Sequence, residues 1–222
     1  MGHQSTAMAS SLSEHLDTAL SALGLPLPAG ARSALIAYLG LLDKWNRTYN
    51  LTAIRDPMVM LYHHLIDSLA ILPTLETTVV ATRRQVRLLD VGSGAGLPAI
   101  PLAIARPDWA VSSVEASGKK AAFQRQAQIE LGLRNLTVLS QRVEALPADD
   151  YDIVSSRAFA SLADFVSVAG NQTVNGTLCA MKGQCPDEEL RALPPPWQVA
   201  AVVPIAVPGL DAARHLILMK RH

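Results

Sequence analysis

The sequence predicts an α/β fold: a mostly parallel, doubly wound sheet of seven strands with an N-terminal helical cap. Three observations predict it. From Val86 onward, short apolar runs alternate with helix-length segments, the pattern of parallel strands joined by crossover helices. The region before it, about Ser11 to Leu72, has helical spacing and no strand alternation. Between the two, Arg87 to Leu102 runs from an apolar strand through glycines at 92, 94 and 96 into a new apolar pattern. Strand, glycine loop and helix form a ligand-binding arrangement, because glycine lets the backbone approach a ligand and a helix start offers unpaired N–H groups.

Composition bounds the function. A chain of 222 residues, 50% hydrophobic and 17% charged, builds one substantial domain or a domain with an appendage, and is not disordered overall. No run reaches about 18 uninterrupted apolar residues, and no basic-then-apolar leader opens the chain, so neither a membrane span nor a secretion signal is expected. Cys179 and Cys185 lack metal or redox spacing, which suits a reducing cytoplasm. The six histidines are scattered; His63 and His64 are adjacent, but neighbours on an α-helix point in different directions, so no metal site is expected. With 19 basic against 19 acidic residues, a nucleic-acid partner would be met by a local cationic surface rather than by net charge.

In chain order, residues 1–10 are small and polar and read as a loose, disordered leader, and residues 11–84 as the helical cap. The first helix, Ser11 to Leu23, is apolar at Leu12, Leu16, Leu20 and Leu23 and stops at Gly24. The second, after Pro26, Pro28 and Gly30, carries Leu35, Tyr38, Leu39, Leu42 and Trp45 on one face. Asp56-Pro57 is a capped start for a third helix reaching about Leu72, before Pro73. Between the second and third helices, Trp45 and Tyr49 alternate with Lys44, Arg47 and Arg55, and Asn46 and Asn50 add hydrogen-bonding groups. Rings beside cations hold unpaired RNA; alternatively, the rings pack beneath the cap while the charges stay solvated.

Residues 85–222 form the ligand-binding domain. Strands are expected up to Asp90, over Ala110 to Val114, Leu136 to Ser140, Tyr151 to Ser155 and Thr177 to Met181. Helices fall between them, including a short one over Val143 to Leu146, and Val199 to Val207 and His215 to Lys220 close the sheet, the last antiparallel. Ligands gather at the carboxyl ends of parallel strands, where Asp90, Glu115, Glu144, Arg157 and Lys182 all stand. Leu97 occupies the place of the last glycine of a dinucleotide fingerprint, and no lysine follows Gly96 as a P-loop requires. The remaining pattern, acid-x-Gly-x-Gly-x-Gly, resembles the first motif of S-adenosylmethionine-dependent methyltransferases of the Rossmann-like class. Glu115, 115 − 90 = 25 positions after Asp90, suits the ribose hydroxyls, since a carboxylate accepts from two at once. Val143 and Glu144 suit an adenine ring and its exocyclic amine, and Asp90 either orients the glycine loop or meets the methionine ammonium.

Wider motifs extend the resemblance. Trp45-Asn46-x-x-Tyr49-Asn50-Leu51-Thr52, His64-x-x-Asp67-Ser68, Asp90 to Pro98, Ser156-Arg157-Ala158-Phe159-Ala160 and Lys182-Gly183 together resemble the small-subunit ribosomal RNA guanine-N7 methyltransferases, also called glucose-inhibited division protein B, from about residue 35 to 220. The resemblance implies a class I methyltransferase that transfers methyl from S-adenosyl-L-methionine to N7 of one guanine in 16S ribosomal RNA. It places cofactor contacts at Gly92, Leu97, Val143, Glu144 and Arg157, to which the glycine-loop reading adds Asp90, Gly94, Gly96 and Glu115. Substrate contacts are expected from Trp45, Asn46, Arg47, Tyr49, Asn50, Arg55, His64, Phe159 and Lys182, with Phe159 either holding the target base or opening the next helix as a core residue. Arg157, the expected catalytic residue, could bind the cofactor carboxylate, an RNA phosphate or guanine O6, the resemblance favouring the first. Ala116-Ser117 departs from relatives, which often carry Ser-Leu there.

The chemistry matches these residues. Guanine N7 has an in-plane lone pair and no proton, so alignment and exclusion of water suffice without a general base. The Asn/Asp-Pro-Pro-aromatic run used on exocyclic amines is missing after the fourth strand, and Cys185-Pro186 is reversed relative to a pyrimidine-C5 Pro-Cys motif. A monomer acting on a small ribosomal subunit or its precursor is expected, without metal or membrane. The alternative is an S-adenosylmethionine enzyme for a small molecule or protein.

Overall fold

The computed structural model describes residues 2–80, 85–157 and 159–222, with residues 2–9 and 80 as backbone alone. The expected cap boundary at residue 84 and Ala158 of the quoted motif lie outside the described residues.

Helix α1 spans Gly2–Leu23 and buries Leu12, Leu16, Ala19 and Leu20 on one face. It starts at Gly2, so residues 2–10 continue the helix instead of forming a loose leader. From His3 to Leu23 there is no glycine or proline, and extending a nucleated helix is far easier than starting one. Gly24, at φ 60°, ends α1, with Leu25 N–H donating back to Leu20 O at 3.1 Å. Helix α2, Ala31–Tyr49, buries Leu35, Tyr38, Leu39 and Leu42 and ends at a left-handed Asn50. Asp56 caps the next helix as its sequence predicts, Oδ1 accepting from the N–H groups of Met58 and Val59 at 2.8 and 3.0 Å.

That helix is not uniform. It comprises α3, Pro57–Met60, a π-helical centre, Leu61–Ile66, and α4, Asp67–Leu69. Nor does it end before Pro73: α5, Leu72–Leu75, takes Pro73 into its first turn, where no intrahelical N–H is needed, and a second π segment follows over Glu76–Val80. By length and composition Pro57–Val79 could cross a membrane, but 67% of its most apolar window is buried inside the molecule.

The sheet contains β1 Arg87–Val91, β2 Ala110–Val114, β3 Leu136–Leu139, β4 Ile153–Ser156, β5 Thr177–Lys182, β6 Trp197–Pro204 and β7 His215–Arg221, in the order β3-β2-β1-β4-β5-β7-β6. Helices α6 (Ala99–Ala105), α7 (Gly118–Glu130), α8 (Leu162–Ala169) and α9 (Asp187–Arg191) lie between strands, and the short helix expected after β3 is a single 3₁₀ turn, Val143–Ala145. Strands β1 to β5 are parallel; β7 runs antiparallel to both β5 and β6. Strand order reverses at β1, opening the switch-point crevice where such sheets bind ligands.

Alternation along β1 divides the core between the two faces. Leu88 joins the cluster formed with α2, α6 and the π segment, including Leu39, Leu65, Ile100 and Phe123. Leu89 and Val91 join Val154, Phe165, Leu178 and Ile217 on the other face. The first cluster includes residues from Leu12 to Leu218, so the N-terminal helices pack as an outer layer on the sheet's own core.

Candidate cofactor and substrate cleft

Gly92, Gly94 and Gly96 all adopt positive φ, at 68°, 61° and 83°. The last two serve different ends. A Cβ on Gly94 would meet nothing within 4 Å and project into open space, whereas one on Gly96 would lie 2.3 Å from Ile100 Cδ1. Gly94 therefore keeps the cleft open, and Gly96 lets the loop close onto α6.

Side chains from several elements hold this loop. Glu115 accepts from Gly94 N–H through Oε2 and from Ser117 N–H through Oε1, both at 2.8 Å. Gln124 Nε2 donates to Gly94 O and Tyr38 Oη to Ala95 O, each at 2.8 Å. Asp90 is wholly buried and accepts from the hydroxyls of Ser93 and Ser155, the latter at 2.9 Å. Burial pushes its carboxyl up to about 7 against these hydrogen bonds. Of its two expected roles, the structure places Asp90 in loop orientation; it does not reach the cleft surface.

The cleft has two lobes that share Gly92. One, of about 410 Å³, is bounded by Gly92 to Ala95 and Leu97 on one side and by His63, His64, Asp67, Arg157, Lys182 and Arg214 on the other. A smaller lobe of about 190 Å³ is lined by Val91, Gly92, Val114, Val143, Glu144 and Phe159. The residues fit S-adenosylmethionine: an apolar slot with a carboxylate at its edge suits a purine bearing an amine, and the charged lobe suits an amino-acid end.

His63 and His64 both line the larger lobe, contrary to the expectation that adjacent residues diverge. Their segment is π-helical, and its wider turn separates neighbours by less than the α-helical 100°. His64 Nε2 contacts Thr52 Oγ1 at 2.8 Å, and its Nδ1 is buried with no partner among the described residues. Burial, then the charge of Arg157, lowers His64 to about 4, so the imidazole is neutral. One turn on, buried Asp67 accepts from Arg157 Nη1 at 3.1 Å and from Arg214 Nε at 2.8 Å. Lys182 Nζ is held by Ala160 O at 3.0 Å and by Glu189 at 3.0 Å.

The other expected substrate residues divide. Tyr49 is 44% exposed and packs, tilted, at 5.1 Å against Trp45, which itself packs at 5.7 Å on Phe123 and is half-buried. Asn46 is 1% exposed, its Nδ2 donating to Ile54 O and its Oδ1 accepting from Thr52 N–H, both at 2.9 Å. It latches the 50–55 loop, which removes it from direct substrate contact. Arg47 pairs with Asp43 at 2.6 Å on the surface, while Arg55 donates to Asn46 O at 3.0 Å and to Asn50 Oδ1. Phe159 stacks on Phe165 at 5.1 Å and lines the smaller lobe beside Val143, not the lobe containing Arg157, which takes it away from a target-base role there.

Asp67, Arg214 and His63 are site residues that motif reading did not assign. Asp67 lies three residues after His64, close enough to share its helix face. Arg214 could be reached only through topology: β7 enters where β5 ends, with His215 opposite Lys182, so the start of an antiparallel strand falls on the ligand rim.

Comparison with known proteins shows the family and the fold. The family model described as rRNA small subunit methyltransferase G matches residues 31–217. Among relatives named "Ribosomal RNA small subunit methyltransferase G", that of Azoarcus sp. (strain BH72) is 53% identical over 91% of this chain and 93% of its own. The one from Bordetella pertussis is 48% identical over 94% and 93%. Solved structures share the fold alone. TrmN from Thermus thermophilus has TM-score 0.51 at 16% identity over 73% of this chain and 53% of its own. M. jannaschii TYW2 in complex with AdoMet has TM-score 0.51 at 13% identity over 69% and 77%. A match spanning α2 to β7, over a glycine loop and the strand-end acids and bases just described, makes this chain a class I methyltransferase belonging to the rRNA small subunit methyltransferase G family.

Proposed function

We propose that the cleft transfers the methyl group of S-adenosyl-L-methionine to N7 of one guanine of 16S ribosomal RNA, presented within a small ribosomal subunit or its precursor in the cytoplasm. The observation that carries this reading is the two-lobed cleft over the glycine loop, with a purine-sized apolar lobe at one end and the Arg157–Asp67–Arg214 cluster at the other. The cofactor supplies an electrophilic methyl carried on a sulfonium.

The chain's own residues bind and orient. Glu115 uses one lone pair on each oxygen for Gly94 and Ser117, leaving acceptor capacity for ribose hydroxyls. Val143 packs against the adenine face, Glu144 takes its exocyclic amine, and Leu97 closes the far wall of the larger lobe. Arg157 takes the amino-acid carboxylate. N7 has no proton to lose, so the protein need only align nitrogen with methyl and exclude water. Neutral His64 fits that division of labour, because a base near 4 is far below the working range of general catalysis. Tyr49, Asn50 and Arg55 form an exposed strip beside the cleft for RNA stacking and phosphate contact. A protein of zero net charge gains little from counterion release, which favours a preshaped particle over naked RNA.

The test is methyl transfer from labelled S-adenosylmethionine to small subunits lacking the modification, against naked 16S RNA, with the product mapped to the nucleotide. Arg157→Ala should reduce turnover by at least about 100-fold, as expected for losing a charged positioning contact. Near-normal turnover in Arg157→Ala, or methyl found on an exocyclic amine, sinks the reading.

A further inference from the structure

The larger lobe contains an arrangement that cofactor binding alone does not require. Asp67 is 5% exposed, and each of its carboxylate oxygens holds a different arginine, one 90 residues away after β4 and one 147 residues away at the entry to β7. The two are gripped differently. Arg157 is held by a tip nitrogen, Nη1, which Asp67 shares with the backbone carbonyl of His63 at 3.4 Å, so its guanidinium turns toward the π segment. Arg214 is held by Nε, the nitrogen nearest its stem. Its tip therefore extends past the carboxylate; Nη1 donates to Ala213 O at 2.9 Å, and no hydrogen bond among the described residues uses Nη2.

Charge completes the case. Among the described residues Asp67 alone ion-pairs with either guanidinium, so the trio carries a net positive charge, whereas Lys182, on the same wall, is matched by Glu189. A guanidinium with an unused edge and unbalanced charge suits an anionic oxygen; a base carbonyl would need the donors but not the charge.

We propose that Asp67 is a positioning residue that apportions the two guanidiniums between the two ligands, Arg157 to the cofactor's carboxylate and Arg214 to an RNA phosphate beside the target guanine. This rests on the reading of Arg157 given above. Asp67 keeps the like charges at fixed separation, so neither arginine follows the other's ligand.

The experiment uses the full chain, with calorimetric titration of S-adenosylmethionine and steady-state methyl transfer to unmodified small subunits over a salt series. Arg214→Gln should raise KM for the particle about tenfold or more while leaving cofactor affinity within about twofold, and reduce the slope of log kcat/KM against log salt by about one. Arg214→Lys should restore that slope. Asp67→Asn should weaken both cofactor affinity and particle KM; should it fail to fold, Asp67→Glu, which displaces the charge by one methylene, makes the same measurement. Loss of cofactor affinity in Arg214→Gln, an unchanged salt slope, or an Asp67 variant that alters neither ligand overturns the apportionment. Intact cofactor affinity and turnover in Arg157→Gln would instead overturn the underlying assignment of Arg157, whatever Arg214 shows.

Discussion

The Tyr38 hydroxyl donates to the carbonyl of Ala95 across 2.8 Å, joining α2 of the outer helical layer to the glycine loop of the sheet. Tyr38 is fully buried, and burial raises its phenol above the ordinary range, so the hydroxyl stays a donor at any working pH. Tyr38→Phe keeps the packing but leaves the Ala95 carbonyl without this donor. A loss of about 1–2 kcal/mol in urea unfolding is expected, together with weaker cofactor binding by titration. Unchanged affinity would show that the outer layer does not support the loop.

Gly94 and Gly96 should fail in different ways when substituted. Gly94→Ala meets no atom within 4 Å, so the protein should fold with a penalty of about 1 kcal/mol for left-handed backbone and lose cofactor affinity to the methyl in the cleft. Gly96→Ala drives Cβ to 2.3 Å from the buried Ile100 side chain at φ 83°. Strain and overpacking together should destabilise by about 2–4 kcal/mol, measured as a fall in melting temperature.

Across the 43–55 segment, exposure separates binding from folding. Tyr49→Ala removes an exposed ring and should leave thermal stability nearly unchanged while weakening RNA binding by about 1–3 kcal/mol. Asn46→Ala removes a buried amide that holds Thr52 and Ile54, and should cost about 2–3 kcal/mol of stability. Unfolding curves and filter binding on both variants check the division.

Two buried groups give opposing pH dependences. His64 is depressed from 6.5 to about 4, so the unfolded state binds more protons between those values and stability is lost as pH falls through the window. Asp90 is raised from 3.8 to about 7, so the folded state binds more protons there and stability is lost as pH rises. The two largely cancel in the parent protein. Relative to it, His64→Gln should gain stability on acidification from pH 6.5 to 4.5, and Asp90→Asn should gain on moving from pH 4.5 to 7. Parallel urea midpoints at three pH values in that range test both signs.

The parallel half of the sheet was legible because β1 to β5 obey one rule: each strand's end, not its start, opens on the crevice of the fold. Glu144, Arg157 and Lys182 follow from it directly as cleft-lining residues, while Glu115 follows as the acid that holds the glycine loop. Arg214 did not, since β7 is antiparallel and the rule inverts there; only the His215–Lys182 pairing reveals it. The histidine pair would diverge on an α-helix, but the chain forms a π turn over Leu61–Ile66, which brings both to the cleft. Residue type could not separate Asn46 from Tyr49 either: three positions apart on α2, one turns inward to latch a loop and the other outward. Phe159 carried two readings in sequence, and its stacking on Phe165 puts it with the core of the smaller lobe.

Because Arg214 joins Asp67 across 147 residues and stands where β7 enters between β5 and β6, the charged lobe is complete only once that strand has paired. The glycine loop is tied over a much shorter span, Glu115 meeting Gly94 only 21 residues away. Closing the longer loop costs more chain entropy, so the Asp67–Arg214 pairing binds the helical layer to the antiparallel end of the sheet at a greater entropic cost than the loop contact.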